Sequence, residues 1–148
     1  MRIEDHPMKM IMNLSNLIRR AMEQEMIDLE LTSIQSRVLG FLWWRKWEKK
    51  PVFQRELEEE LKIRRSSVTS VVQCLEKKGL LERKSVSQDA RQKELVLTDK
   101  GMCMQSQVID RLDAMEKKIL GWMTDEEWRW MVHCVQKLEN GLKEADYD

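Results

Sequence analysis

Between Ser87 and Gly101 the chain reads SQDARQKELVLTDKG. Asp89 and Arg91 stand two residues apart on a polar tip, followed at once by the short strand Glu94 to Leu97 and then by Thr98, which is placed to cap a helix. Upstream, Leu80 to Val86 reads as a second short strand, so the tip joins two strands of a hairpin. Gly79 immediately before it suits the C-terminal cap of a helix. That helix has Ser66 as its expected N-cap and Val68, Val72 and Leu75 on one apolar face. A shorter helix precedes it, from about Phe53 to Leu61. Two helices, a tight turn and a hairpin in this order make a helix-turn-helix with a wing.

The flanks are helical. Met10, Leu14, Leu17 and Ala21, widened by Ile11, Ile18 and Met22, give a first helix from Met10 to Leu29 with a broad apolar face. Thr32 with Gln35 has the form of a capping box, opening a second helix through Ile34, Val38, Phe41 and Leu42 that ends near Trp43 to Trp47, before Pro51. After Thr98 a long helix carries Val108, Leu112, Met115, Ile119 and Trp122. Thr124 with Glu127 repeats the capping box, and the last helix carries Trp128, Met131, Val135, Leu138 and Leu142. The fold class is therefore mainly α with a small β-hairpin wing. Residues 32–101 are expected to form the winged helix-turn-helix, with 1–31 and 102–148 as a helical dimerisation region packed into one compact unit.

Composition agrees. Of 148 residues, 42% are apolar and 35% charged, with five Gly and two Pro, which favours one helical globular unit. No apolar run approaches the roughly 20 residues of a membrane span. The start, MRIEDHPMKM, does not read as a secretory signal, so the cytoplasm is the expected compartment. Cys74, Cys103 and Cys134 contain no Cys-x-x-Cys pair and imply neither disulfides nor zinc, and Cys103 and Cys134 are expected to be packing residues. No metal or cofactor is implied. Two histidines, His6 and His133, without HExxH, a glycine-rich phosphate loop or a nucleophile elbow, leave catalysis without a constellation.

The net charge is zero, yet between Lys62 and Lys93 nine bases face three acids. Positive charge gathered in one segment of a neutral chain suits a localised contact with phosphates. The Ser66 to Lys78 helix presents Ser66, Ser67, Thr69, Ser70 and Gln73 opposite its apolar face. Short hydroxyl side chains allow close approach to a groove wall, and Gln can pair twice with an adenine edge. Arg64 and Arg65 at its start add charge where the helix dipole already favours phosphate. Lys84, Arg91 and Lys93 extend the basic surface along the wing. Arg91 suits a narrow minor groove, with Asp89 holding it or the tip backbone; the plainer reading is that Asp89 only makes a turn and Arg91 only a surface pair.

At these residues the sequence resembles the MarR family of winged-helix transcriptional regulators. The resemblance rests on LTSIQSRVLGFL, ELEEELKIRRSSVTSVVQCLEKKGLLER and DARQKELVLTDKG, roughly Leu31 to Gly101. It implies a homodimer in which the first and the last two helices of each chain interlock, in accord with their wide apolar faces. It also implies a recognition helix in the major groove, Arg91 in the minor groove, and a pseudo-palindromic site in double-stranded DNA. Repression is implied by the resemblance alone. Glu58 stands where the family usually has a small Ala, and the N-terminal helix lacks the Cys of the peroxide-sensing branch.

The resemblance further suggests control by a small aromatic or lipophilic effector, for which Met8, Met12, Trp43, Trp44, Trp47 and Arg19 or Arg20 are candidate lining residues. Tryptophan and methionine stripes at helical spacing are more often the material of a core. Two alternatives stay open: a winged helix that contacts a protein through its basic segment, and redox control through Cys74 on the recognition helix.

Overall fold

The computed structural model describes residues 6–86 and 93–145. Its elements are α1 (Pro7–Met26), α2 (Ser33–Trp47), α3 (Gln54–Leu61), α4 (Arg65–Lys77), β1 (Leu81–Ser85), β2 (Lys93–Leu97), α5 (Asp99–Leu120) and α6 (Asp125–Glu144). The strands pair antiparallel, Leu81 opposite Leu97 and Ser85 opposite Lys93. The architecture is the mainly helical winged helix-turn-helix read from the sequence.

Two compact units divide the chain, Met1–Arg111 and Leu112–Asp148. The core of the first joins Val38, Leu39 and Leu42 of α2, Leu57 and Leu61 of α3, Val68, Val72 and Leu75 of α4, and Leu81, Leu95 and Leu97 of the hairpin. Val52 extends the hairpin by accepting the Leu95 N–H at 2.8 Å. α1 contributes only Met26 to the buried set. It ends there, before the expected Leu29, because Ile27–Leu29 tighten into a 3₁₀ turn and Glu30 turns left-handed at φ 53°.

Local chemistry explains the ends of α2 and α4. Thr32 Oγ1 accepts the Gln35 N–H at 3.3 Å while Gln35 Oε1 accepts the Thr32 N–H at 3.1 Å, the reciprocal bonds of a capping box. At the end of α4, Gly79 turns left-handed at φ 72°, and the Leu80 and Gly79 N–H groups reach back to the carbonyls of Leu75 and Glu76. This double return is the Schellman arrangement, which a residue with a Cβ resists. Thr98 then ties the following elements together, donating to the Gly79 carbonyl at 2.6 Å and capping α5 by accepting the Gly101 N–H at 3.0 Å.

The N-terminus of α4 differs from expectation. Arg64, not Ser66, is the N-cap, and Ser66 is the second helical residue. The extended Arg64 backbone already offers its carbonyl to the Ser67 and Val68 N–H groups, so the helix begins ahead of the serine.

In the second unit, Thr124 caps α6 and Glu127 Oε2 accepts both the Thr124 N–H at 2.7 Å and its hydroxyl at 3.0 Å. Trp128 Nε1 donates to the Leu120 carbonyl at 2.9 Å, closing the hairpin between the helices. The Thr124 N–H, and after it the hydroxyl, hold the Glu127 carboxyl below its ordinary value of 4.5. A depressed carboxyl stabilises the fold above its unfolded-state value and loses that contribution as pH falls through the folded value. Glu127→Gln keeps an acceptor but cannot titrate. The difference in thermal midpoint between wild type and Glu127→Gln is therefore expected to be constant above about pH 5 and to move against wild type below it, as read by circular dichroism.

Cys103 and Cys134, expected as packing residues, are exposed. Each falls on a helix face that no other element of its unit covers, and the general tendency of free cysteines to be buried does not hold for them in the single chain.

Candidate nucleic-acid interface

α3 ends where Lys62 turns left-handed at φ 52°, and after Ile63 the chain enters α4 through Arg64. Val68, Val72 and Leu75 anchor α4 in the core. That rotation leaves Arg64, Arg65, Ser66, Ser67, Ser70 and Gln73 exposed. No side chain caps the α4 N-terminus among the described residues, so its first N–H groups and the positive end of its dipole face solvent between two arginines.

The hydroxyls divide into two sets. Ser66 and Ser67 have no side-chain partner among the described residues, whereas Ser70 Oγ donates to the Ser66 carbonyl at 3.1 Å. Thr69 is half-buried; its hydroxyl donates to the Arg65 carbonyl at 2.9 Å and accepts from Gln54 Nε2 at 2.7 Å. A free Thr69 hydroxyl, as the sequence suggested, is not what the fold provides.

On the wing, Lys84 Nζ pairs with Glu82 at 3.1 Å, and Lys93 Nζ donates to Ser85 Oγ at 2.6 Å across the hairpin. Arg83 Nε pairs with Glu76 of α4 at 3.1 Å, fastening the wing to the recognition helix. Asp89 and Arg91 lie outside the described residues.

A concavity of about 700 Å³ opens between α3, the start of α4 and the strands, and Arg55, Arg65, Arg83 and Lys93 stand on its walls. Its two carboxylates are engaged. Glu56 accepts the Phe53 N–H at 2.8 Å, half of a capping box whose other half Phe53 cannot supply, and Glu58 accepts from Gln54 at 3.3 Å and faces Arg65 at 3.9 Å. Gln54, Arg55 and Arg83 were not among the site residues chosen from the sequence. Arg83 was legible in the basic run; Gln54 and Arg55 join the site only through the packing of α3 against α4.

The candidate effector residues are more dispersed. Met8, Met12, Trp44 and Trp47 are exposed in the single chain, and the half-buried Trp43 meets Trp47 edge-on with centroids 6.0 Å apart. Arg19 bonds Glu23 and Asn16. It lines a cavity of about 540 Å³ with Leu31, Thr32, Ser33, Ile34 and Arg37, and neither those tryptophans nor those methionines are in its wall. Cys74 is half-buried, its sulfur accepting from Gln35 Nε2 at 3.2 Å. Among the described residues no helix is long and apolar enough to cross a membrane, and no group of three or more His, Cys, Asp or Glu is placed to hold a metal ion.

A helix-turn-helix with a hairpin wing and an exposed, basic second helix defines the winged helix-turn-helix class. Residues 29–92 match the model of the MarR family. The chain is 31% identical over 83 residues to the HTH-type transcriptional repressor MdtR of Bacillus subtilis, covering 56% of this chain and only about half, 54%, of that protein. Its fold is similar to MepR, a transcription regulator of the Staphylococcus aureus multidrug efflux pump MepA, with a TM-score of 0.78 at 22% identity over 90% of this chain and 96% of that one. MepR in complex with DNA aligns at a TM-score of 0.73, with 22% identity over 90% of this chain and 95% of that one. YusO of Bacillus subtilis aligns at 0.71 with 27% identity, over 88% of this chain and 89% of that one.

Proposed function

We propose that this chain is a MarR-family regulator, a cytoplasmic homodimeric repressor that binds a pseudo-palindromic operator in double-stranded DNA. The observation that carries the reading is the uncapped N-terminus of α4, flanked by Arg64 and Arg65 and presenting short polar side chains away from the core. Such a helix enters a major groove with its backbone N–H groups toward phosphate and its side chains toward base edges. Arg55, Arg65, Arg83 and Lys93 around the neighbouring concavity continue the phosphate-binding surface toward the wing. Repression is supported by the likeness to MdtR, and DNA as partner by the MepR–DNA complex.

The dimer rests on the uncovered apolar faces of α1 and α6, consistent with a helical dimerisation region in 1–31 and 102–148. An aromatic or lipophilic effector then acts by preferring a dimer whose recognition helices no longer match the half-site spacing. The half-buried, hydrogen-bonded Cys74 supports a packing role for that thiol over redox control.

Selection of genomic fragments by the purified protein at near-physiological salt tests the reading, with Arg91→Ala in parallel. Wild type is expected to enrich a pseudo-palindrome. Arg91→Ala is expected to weaken binding at least tenfold and to flatten the salt dependence by about two phosphate contacts per dimer, about 0.9 in logarithmic slope for each. A folded wild-type dimer that enriches no sequence would exclude operator reading and leave the winged helix as a protein-contact module.

A further inference from the structure

Gln54, the first residue of α3, reaches across to α4 and donates its side-chain N–H to Thr69 Oγ1 at 2.7 Å. The Thr69 hydroxyl hydrogen already goes to the Arg65 carbonyl at 2.9 Å. A hydroxyl has one hydrogen to give, so Oγ1 can only accept from Gln54, and this fixes the Gln54 amide with its nitrogen toward Thr69. Glu58 Oε1 accepts from the same nitrogen at 3.3 Å and demands the same orientation. Both hydrogens of the Gln54 amide are thus in use, and Thr69 is held in one rotamer from two sides.

The consequence concerns what Thr69 offers to DNA. Its hydroxyl cannot donate to a phosphate or a base without giving up Arg65, so the γ-methyl is the group left to present. Ser66, Thr69 and Gln73 stand at i, i+3 and i+7, one face of α4, and Ser66 and Gln73 at either end of that row are exposed. The distinctive apolar mark on a base edge in the major groove is the C5-methyl of thymine, and a threonine methyl is a fitting contact for it.

We infer that Thr69 reads a thymine methyl in each half-site, and that Gln54 is the positioning residue that keeps the Thr69 methyl turned toward it. The inference rests on the proposed DNA reading and adds a specificity determinant to it. Its two parts make different demands: Thr69 must carry the methyl, and Gln54 must carry a donor.

The test uses the full-length protein and its selected operator, with each thymine replaced in turn by deoxyuridine, which removes only the methyl. Wild type is expected to lose about fourfold in affinity at one thymine per half-site, the worth of about one buried methyl group, and to be indifferent to the others. Thr69→Ser keeps both hydroxyl bonds but lacks the methyl, so it is expected to bind the thymine and deoxyuridine operators equally. Gln54→Met keeps length and helix propensity but offers no donor, and the ratio of its affinities for the thymine and deoxyuridine operators is expected to fall below about twofold. A merely structural Gln54 would lower both affinities together and leave the ratio unchanged. Specific binding by wild type that no deoxyuridine weakens, or discrimination that survives in Thr69→Ser, overturns the inference while leaving the operator reading intact. Absence of any selected operator removes both, and the two failures are told apart by that first step.

Discussion

Gly101→Ala is expected to lower the unfolding free energy by about 3 kcal/mol and the thermal midpoint by about 10 °C. A Cβ built on Gly101 would lie 1.9 Å from the Leu80 carbonyl oxygen and 2.9 Å from its carbon. Neither atom belongs to a flexible side chain that can swing aside. The same stretch of backbone is fixed by the Thr98 N–H donating to the Leu80 carbonyl at 3.2 Å and by the Thr98 hydroxyl on Gly79. Relief therefore requires α5 to move off the end of α4, which strains the Schellman turn and uncovers Leu80, a fully buried side chain. Two other helical glycines serve as controls. A Cβ at Gly40 would have Gln105 Nε2 at 3.6 Å as its neighbour, an ordinary contact, and one at Gly141 would meet nothing within 4 Å. Alanine at those positions is expected to be neutral or to stabilise by about 0.5–1 kcal/mol through helix propensity. Urea melts of the three variants check the ordering, and a Gly101→Ala protein as stable as wild type would show that the close approach is not required.

This gives Leu97-Thr98-x-x-Gly101 a physical meaning that its use as a sequence signature does not supply. Leu97 closes the core, Thr98 bridges two elements, and Gly101 lets two backbones cross. The motif is architecture, whereas the proposed DNA contacts lie on neighbouring residues.

What was legible from sequence follows the range of the interactions involved. The capping boxes at Thr32 and Thr124, the turn at Gly79 and the paired strands depend on residues within a few positions, and short patterns report them. The N-cap of α4 was misread because Ser66 has the preferred side chain, while the direction of chain entry from α3 set the backbone of Arg64. The link between Gln54 and Thr69 spans fifteen positions and two helices, so no periodicity within either could announce it. The Thr69 hydroxyl accordingly looked free in sequence and is committed in the fold. Arg64, Arg65, Ser66, Ser67, Ser70 and Gln73 are all exposed, and Ser66, Ser70 and Gln73 lie opposite the apolar period of Val68, Val72 and Leu75. Helical spacing identifies an apolar face but not what covers it, which is why the tryptophans of α2 could be read equally as core or as the lining of a site.

The double substitution Leu14→Glu, Leu17→Glu is expected to convert the proposed dimer into a folded monomer. Within α1, Met8, Met10, Ile11, Met12, Leu14, Leu17, Ile18 and Met22 are all exposed in the single chain, Leu14 at 49% and Leu17 at 62%. An apolar stripe of that length exceeds what a helix leaves in water without a partner. Since neither leucine belongs to the buried core of residues 1–111, two glutamates there leave Val38, Leu57, Val72 and the rest of that core untouched, and helix content should persist. In a symmetric dimer each substitution occurs twice, placing four carboxylates in an apolar seam, each unpaired and costing several kcal/mol if desolvated. Sedimentation at micromolar concentration should then give the single-chain mass of 17.8 kDa rather than twice that value. Operator affinity should fall by about 100-fold or more, because a lone subunit holds one half-site and forfeits the contacts of the other. Affinity for non-specific DNA should fall far less, since the basic face of each subunit is unchanged. A variant that remains a dimer and keeps its operator affinity would mean that α1 is covered by something other than a second copy of the chain, and the half-site geometry would then have to be set by α5 and α6.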